Sequence, residues 1–322
     1  MAAEIKTLQD AILYFSSADN CLNYMVARRW PNGVECPTCG SKDVRFLANQ
    51  RRWECKGKHS KKQFSAKNGT VFEDSPLPLQ KWLPAAWLIG NSKNGISSWE
   101  LHRALGVTQK TAWFMLQRLR LAMQDENFGG KLGGEIEIDE TYIGGKARNM
   151  HKDRKERALE GKGGGKTGKV AVQGMLVRGG KIRATVVENP DYAALVPNIW
   201  KNVEKGSTVY TDELRAYFGL QADYVHEVIN HTEAYVRDNV HTNGLENFWA
   251  LLKRTLSGTY VSVEPFHLFR YVDEQAFRFN NRKPMDDGNR FDYLMRKIVG
   301  KRLTYKQLTG KDGEDQTPAE AF

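Results

Sequence analysis

Three acidic segments in the second half of the chain set the tightest condition on how it folds. They are EIEIDET (Glu135 to Thr141), VYTDELRAY (Val209 to Tyr217) and HTNGLENFWALLKR (His241 to Arg254). The first two place Asp139 and Asp212 at the ends of β-rich apolar runs. The third places Asn243 and Glu246 one turn apart at the start of an amphipathic helix. Two strand-end aspartates and a helix-borne acid, brought together, form a cage for paired divalent cations, the machinery of in-line displacement at phosphorus. Strand alternation turns Glu137 to the same face as Asp139 and Glu140 to the opposite one, so Glu137 is the main competitor for a place in the cage. There is an ordinary alternative for each acid. A strand-end Asp also forms turns or caps helices, Asp212 stands beside Glu213, and Glu246 has Lys253 and Arg254 as partners.

The chain has 322 residues, enough for two or three domains with full cores. Its formal net charge of +10 favours a polyanionic partner. No apolar run approaches the roughly 20 residues that span a bilayer. The start, MAAEIKTLQDAILYF, lacks the basic and apolar regions of a signal peptide. The expectation is a soluble cytoplasmic protein without a membrane partner. Four cysteines are too few for a disulfide framework in a chain of this length.

Residues 1–30 read as a helical lead-in. Residues 31–75, rich in Gly, Lys, Ser and Cys, form a small module that cannot fill a core unaided. CPTCG puts Cys36 and Cys39 in a C-x2-C knuckle, and WECKGKHSKKQF adds Cys55 and His59. Two pairs of soft or borderline ligands suit one tetrahedral Zn2+. His59 is the least usual member, since a second C-x2-C is the commoner partner. Cys21 lies outside the pattern and reads as a core thiol.

From residue 79 to 124 the apolar period is helical and marks three helices. ISSWELHRALGVTQKTAWFMLQRLR resembles a helix-turn-helix: one helix ends near Leu105, Gly106 makes the turn and Thr108 caps the next. Gln109, Lys110 and Arg118 are its candidate DNA contacts, with Ala112, Met115 and Leu119 packing. DENFGGKLGG is a linker. The strand candidates that follow are EIEID, KVAVQGMLV, KIRATVVE, STVYTD and VHEVIN, with helices near Tyr192–Val203, Thr242–Leu256 and Pro265–Arg282. They indicate one mixed sheet covered by helices. Within the basic stretch Lys146 to Lys169, GKGGGKT is not a phosphate-binding P-loop, because Glu160 stands where that pattern needs Gly and no strand precedes it. It reads instead as a basic loop, with Lys162 and Lys166 available to grip phosphates.

Six segments carry a family resemblance: RWPNGVECPTCG, QFSAKNGTVFEDSPLPLQKW, IEIDETYIGGK, VYTDELRAY, HTNGLENFWALLKRTLSGTY and FHLFRYVDEQAFRFNNR. In this order, over nearly the whole chain, they resemble bacterial insertion-sequence transposases of the DDE class with an N-terminal zinc ribbon, the group related to eukaryotic Merlin elements. The resemblance implies a multidomain protein: a zinc ribbon, a helix-turn-helix module, then an α/β RNase H-like catalytic domain with a mixed sheet over 135–300 and a polar tail over 301–322. It implies binding to double-stranded DNA at the element's terminal inverted repeats, and metal-dependent 3′-end hydrolysis and strand transfer into target DNA. It also implies a homodimer or higher homo-oligomer and two Mg2+ (or Mn2+) ions per active site. Asp139 and Asp212 match the first two catalytic positions. The third is Asn or Glu in related sequences, and here Asn243 and Glu246 share one helical face. Charge neutralisation of a second cation favours Glu246. Lys253, two turns on, and Arg254 are candidate phosphate contacts. His241 and His267 flank the third motif and are secondary candidates for packing or for contact with DNA. The competing reading is a zinc-ribbon DNA-binding protein with a vestigial nuclease domain.

Overall fold

The computed structural model describes residues 5–124, 130–144, 169–212, 214–217, 219–229 and 241–311. Lys162, Lys166 and Glu213 lie outside the described residues. The chain divides into two compact units, Met1–Gln124 with Asn281–Phe322, and Asp125–Asn280.

The first unit opens with α1 (Leu8–Phe15) and α2 (Ala18–Arg29). Thr7 and Asp10 form a reciprocal capping box at the start of α1, which satisfies amide groups the helix leaves unpaired. A small antiparallel sheet follows, β1 (Val44–Leu47), β2 (Arg52–Cys55) and β3 (Gln63–Phe64) in that order. Its apolar content is a few rings: Trp53 stacks on Phe64 at 5.9 Å and meets Trp30 edge-on at 5.6 Å. Next come α3 (Leu79–Asn91), α4 (Ser98–Leu105) and α5 (Gln109–Met123). Gly106 ends α4 with φ of +61°, a left-handed conformation that suits glycine. The Thr108 hydroxyl then caps α5 by accepting from the Thr111 amide at 3.2 Å.

The helical hairpin is thus where the sequence indicates, but Arg118 does not face outward. It is 5% exposed, its Nε donates to the Leu303 carbonyl at 3.1 Å, and its guanidinium lies 4.6 Å from the Phe114 ring centre. The expectation that it contacts DNA is overturned. Every residue from Met115 to Arg120 is buried, so α5 is packed all round at its middle and has no polar face there. Gln109 is half-buried with its amide on Ser98 Oγ at 2.8 Å. Lys110 remains exposed, 4.8 Å from the Tyr305 ring centre.

The second unit is built on a five-stranded sheet: β4 (Glu135–Ile143), β5 (Val170–Val177), β6 (Ile182–Val187), β7 (Thr208–Asp212) and β8 (Val225–Ile229). The order is β6-β5-β4-β7-β8. β4, β5 and β6 are mutually antiparallel, while β4–β7 and β7–β8 are parallel. All five strand candidates are therefore strands of one mixed sheet. α6 (Tyr192–Asn202) lies between β6 and β7 in the chain, and α7 (Asn243–Arg254) and α8 (Leu268–Asn280) follow β8. The sheet has two cores. One joins Ile136, Ile138, Met175 and Val209 to Leu195, Ile199 and Val203 around α6. The other joins Val172, Leu176 and Ile182 to Leu245, Phe248, Trp249 and Leu252 of α7 and to Leu268, Val272 and Phe279 of α8. A single π-type turn, Thr255–Tyr260, continues α7.

At Asn281 the chain returns to the first unit, so the division falls at 280 and not at 300. The reason is packing. In α9 (Asp287–Arg296) the Phe291 ring lies 5.7, 5.6 and 5.3 Å from those of Phe15, Tyr24 and Trp87. Asp292 accepts from Tyr24 Oη at 2.9 Å and pairs with Arg28. The expected polar tail from 301 is also anchored over its described part. Lys301 Nζ reaches the carbonyls of Leu121 and Gln124, and Leu303 and Leu308, the latter in α10 (Tyr305–Leu308), are buried.

Arg118 is expected to act as a fold residue. Arg118→Ala should cost about 1–3 kcal/mol by leaving the Leu303 carbonyl unpaired and the side chain's volume empty. A lowered midpoint in chemical unfolding checks this, with DNA affinity of the folded protein unchanged.

Candidate active site and metal centres

The parallel ladder between β4 and β7 pairs Glu135 with Thr208, Ile136 with Val209 and Glu137 with Tyr210, and there it stops. The same register carried two residues further sets Asp139 level with Asp212. Both strands run in one direction. Asp212 ends β7, but Asp139 does not end β4 as its apolar run indicates: β4 stays paired with β5 and runs on to Ile143. The two aspartates meet just beyond the paired part of the β4–β7 ladder, on the carboxyl side where parallel strands open a crevice for ligands.

Among the described residues, Asp139, Glu140 and Asp212 bring one carboxylate oxygen each within 4.8 Å of one another. Asp139 and Asp212 were expected here. Glu140 was not, because alternation turns it to the far face. Alternation itself persists, since β4 stays paired with β5 to Ile143 and sends Ile138 and Tyr142 to one core and Ile143 to the other. But β7 no longer flanks β4 here, which leaves the edge beside Asp212 open to the Glu140 carboxylate. Glu137, the expected competitor, has a different task. It is 1% exposed, accepts from the Leu245 amide at 3.0 Å, and faces Arg178 Nε and His241 Nδ1, each at 3.4 Å. It holds the first turn of α7 and offers nothing to the acidic group. His241 is thereby accounted for as its partner.

Asp139 Oδ2 accepts from Trp249 Nε1 at 2.9 Å, and Asp212 Oδ1 accepts from the Leu214 amide at 3.1 Å. Burial pushes the Asp139 carboxyl up from 3.8 to about 6, and the charges of Asp212 and Glu246 push the same way. The indole N–H and the Glu140 amide oppose this without overcoming it. Glu246 is exposed and outside the close trio, yet its charge is felt at Asp139. Asn243 is also exposed, at the first position of α7. Lys253 and Arg254 lie exposed in the last turn of the same helix.

Two glycines let α7 sit this close to the sheet. Gly174 faces Asp139 across the β4–β5 ladder, and a Cβ there would lie 2.7 Å from the Trp249 ring. A Cβ on Gly244 would lie 2.5 Å from Leu176 Cδ2 and 2.7 Å from Glu137 Oε2. Sequence reasoning missed Trp249 as a partner of Asp139. The signal was present as a glycine inside the apolar strand KVAVQGMLV, which marks a close approach.

In the first unit, Cys36, Cys39, Cys55 and His59 bring their ligand atoms within 4.8 Å of one another. Cys36 Sγ is 3.5 Å from His59 Nε2, and Cys39 Sγ is 3.6 Å from Cys55 Sγ. A tetrahedral zinc with bonds of about 2.3 Å to sulfur and about 2.05 Å to nitrogen sets those separations at about 3.6 and 3.8 Å. The donor set and its spacing fit that ion, His59 included. The Gly57 amide also donates to Cys55 Sγ at 3.3 Å, the kind of support a metal thiolate receives.

An acid-bearing sheet and a thiol-histidine ribbon in one chain offer two groups of residues that could hold metal ions, and comparison with known proteins gives the family. Residues 131–280 match the ISXO2-like transposase domain, and residues 16–57 match the transposase zinc-ribbon domain. A Halobacterium salinarum relative, described as an uncharacterized protein in transposable element ISH50, is 30% identical over 254 residues, covering 76% of this chain and 84% of the relative. An uncharacterized transposase-like protein of Haemophilus influenzae is 35% identical over 102 residues, covering 31% of this chain and 82% of that protein. The chain belongs to the insertion-sequence DDE transposases that carry an N-terminal zinc ribbon.

Two outcomes are expected. Purified protein should hold one zinc, and Cys36→Ser should lose it and make the ribbon protease-sensitive, since structural zinc supplies folding free energy. Metal analysis with limited proteolysis checks this. The second concerns pH. Because the native pKa of Asp139 lies above its ordinary value, the folded protein binds this proton more tightly than the unfolded chain. The metal-free fold therefore has this contribution in full below 3.8 and loses it as pH rises through about 6. Asp139→Asn should remove this contribution, so that the fall in thermal unfolding midpoint between about pH 4 and 7 is smaller than in wild type; unfolding followed across that range checks it.

Proposed function

We propose that this transposase is catalytically competent. In this reading it binds double-stranded DNA at the terminal inverted repeats of its element, hydrolyses the 3′ ends and joins them to target DNA. The observation that carries the reading is the close approach of the Asp139 and Asp212 carboxylates just beyond the paired part of the parallel β4–β7 ladder, with the Glu246 charge acting on Asp139 from α7. A first aspartate on the sheet's first strand, a second ending a later strand and a third acid on a helix is what an RNase H-like catalytic domain requires. Two Mg2+ or Mn2+ ions held there would activate the attacking oxygen and stabilise the leaving one.

Asp139 and Asp212 act as oxygen ligands, Glu246 as the third and Asn243 as its orienting neighbour; Glu140 adds negative charge beside them. In the hydrolytic step a water oxygen forms a bond to phosphorus while the bond to the 3′ oxygen breaks, leaving a 3′-OH. In the joining step that 3′-OH attacks a target phosphorus and a 3′ oxygen of the target departs. Lys253 and Arg254, two and more turns beyond Glu246, neutralise DNA phosphates, as do Lys162 and Lys166, while Gln109 and Lys110 contact the element ends. Cutting two ends of one element calls for at least a homodimer, acting at the nucleoid in the cytoplasm.

Asp139→Ala and Asp212→Ala should each abolish cleavage of a labelled terminal-repeat duplex while end binding in a gel-shift assay survives. Wild-type cleavage in either variant would sink the assignment. Glu246→Gln should raise the Mg2+ requirement or eliminate cleavage, with Asn243→Ala milder; the reverse order would make Asn243 the ligand.

A further inference from the structure

We propose that Trp249 is a positioning residue for Asp139: its indole N–H occupies one carboxylate oxygen and so determines which oxygen is presented to a metal. This rests on the reading of Asp139 as a metal ligand. Trp249 Nε1 lies 2.9 Å from Asp139 Oδ2, and the ring is 4% exposed, so solvent has little room to take its place. An indole donates one hydrogen bond and accepts none. It is also neutral, so it orients the carboxylate without cancelling the charge a cation needs. A Lys or Arg at the same point would hold the oxygen equally well and neutralise it.

The surrounding backbone is arranged around this contact. Gly174 sits mid-strand, a position where glycine weakens a sheet. Opposite it in register is Asp139, and any larger residue would strike the Trp249 ring and Leu245 Cδ2, at 2.7 and 2.8 Å from a Cβ. The helix is fastened to β4 at two points. Glu137 takes the Leu245 amide, and Asp139 takes the Trp249 indole. Two residues of strand advance about 6.7 Å and four residues of helix about 6.0 Å. The two fastenings are therefore nearly in step, and α7 runs along β4 without slipping. Glu246 follows Leu245 directly, so the distance from which its charge acts on Asp139 depends on both contacts.

Outer partners of metal ligands are worth about 10–100-fold in metal affinity or activity. Trp249→Phe keeps the apolar ring and removes only the donor. We expect calorimetry on metal-free protein to show Mn2+ binding weakened by about 10–100-fold. The half-saturating Mn2+ for cleavage should rise by a similar factor, with a smaller change in rate at saturation. A merely structural role would lower the active fraction and leave half-saturation unchanged. Asp139→Ala is the control for the underlying reading. If it binds Mn2+ like wild type, the metal assignment fails and takes this proposal with it. If it loses Mn2+ while Trp249→Phe retains wild-type affinity, only the Trp249 proposal is overturned.

A second measurement covers the case in which Trp249→Phe does not fold. In protein labelled with fluorotryptophan, eight tryptophans give the spectrum. One resonance should shift with Mg2+ and broaden with Mn2+, and neither effect should survive in Asp139→Asn. A spectrum indifferent to both ions in protein that binds Mn2+ by calorimetry overturns the proposal.

Discussion

The second unit depends on one buried carboxylate. Glu137 lies on the central strand, almost fully removed from solvent, and a charge in that position is tolerated only with partners on every side. Arg178 supplies the countercharge, and that guanidinium is itself backed by the Tyr210 ring at 3.8 Å and held by the His241 carbonyl at 2.9 Å. The remaining oxygen takes the Leu245 amide, at the end of α7 where backbone N–H groups are unpaired and the helix dipole is positive. The strand, the β5–β6 turn region bearing Arg178 and the first turn of α7 are thereby pinned together. Everything chemical in the unit is measured from that point: Asp139 two residues along the strand, Glu246 one residue along the helix.

The two groups suited to holding metal ions solve opposite problems. In the ribbon, three thiols and an imidazole stand at the separations of a tetrahedral zinc around a core of little more than Trp30, Trp53 and Phe64, so an ion held there would supply cohesion that the side chains do not. In the second unit the cores on both faces of the sheet are ample, and the acidic group works against them. Burial and neighbouring carboxylates resist ionisation of Asp139, while the nearby cation of Arg178 is committed to Glu137. The site stores a need for positive charge, the condition on which the proposed binding of divalent ions rests.

Much of this was legible in the sequence for identifiable reasons. Asp212 is visible as a strand end because the apolar run that precedes it is, and the C-x2-C knuckle is visible because its geometry is local; Asp139 ends its apolar run without ending its strand, since pairing with β5 carries β4 on to Ile143. What escaped was set by pairing and packing. Glu140 joins the acids although alternation turns it to the far face, because alternation says nothing about where the β7 ladder ends and leaves an open edge. Arg118 was given to solvent because a helical period cannot show that a helix is covered all round. Trp249 looked like any aromatic on an amphipathic helix, since its hydrogen bond depends on a strand more than a hundred positions away. The segment after Asn281 carries a clear apolar period, but a period does not say which core it fills.

That last segment has a consequence for how the protein is made. The first unit is discontinuous: α1 to α5 leave the ribosome early, and the helix bearing Phe291 leaves only after the entire sheet-bearing unit has been translated. Until then Phe15, Tyr24 and Trp87 lack the ring that covers them, and Arg118 lacks the Leu303 carbonyl. A chain broken anywhere before Asn281 therefore has no finished first unit. Incomplete products leave the apolar faces of α1 to α3 uncovered, and completion of the first unit waits on completion of the second.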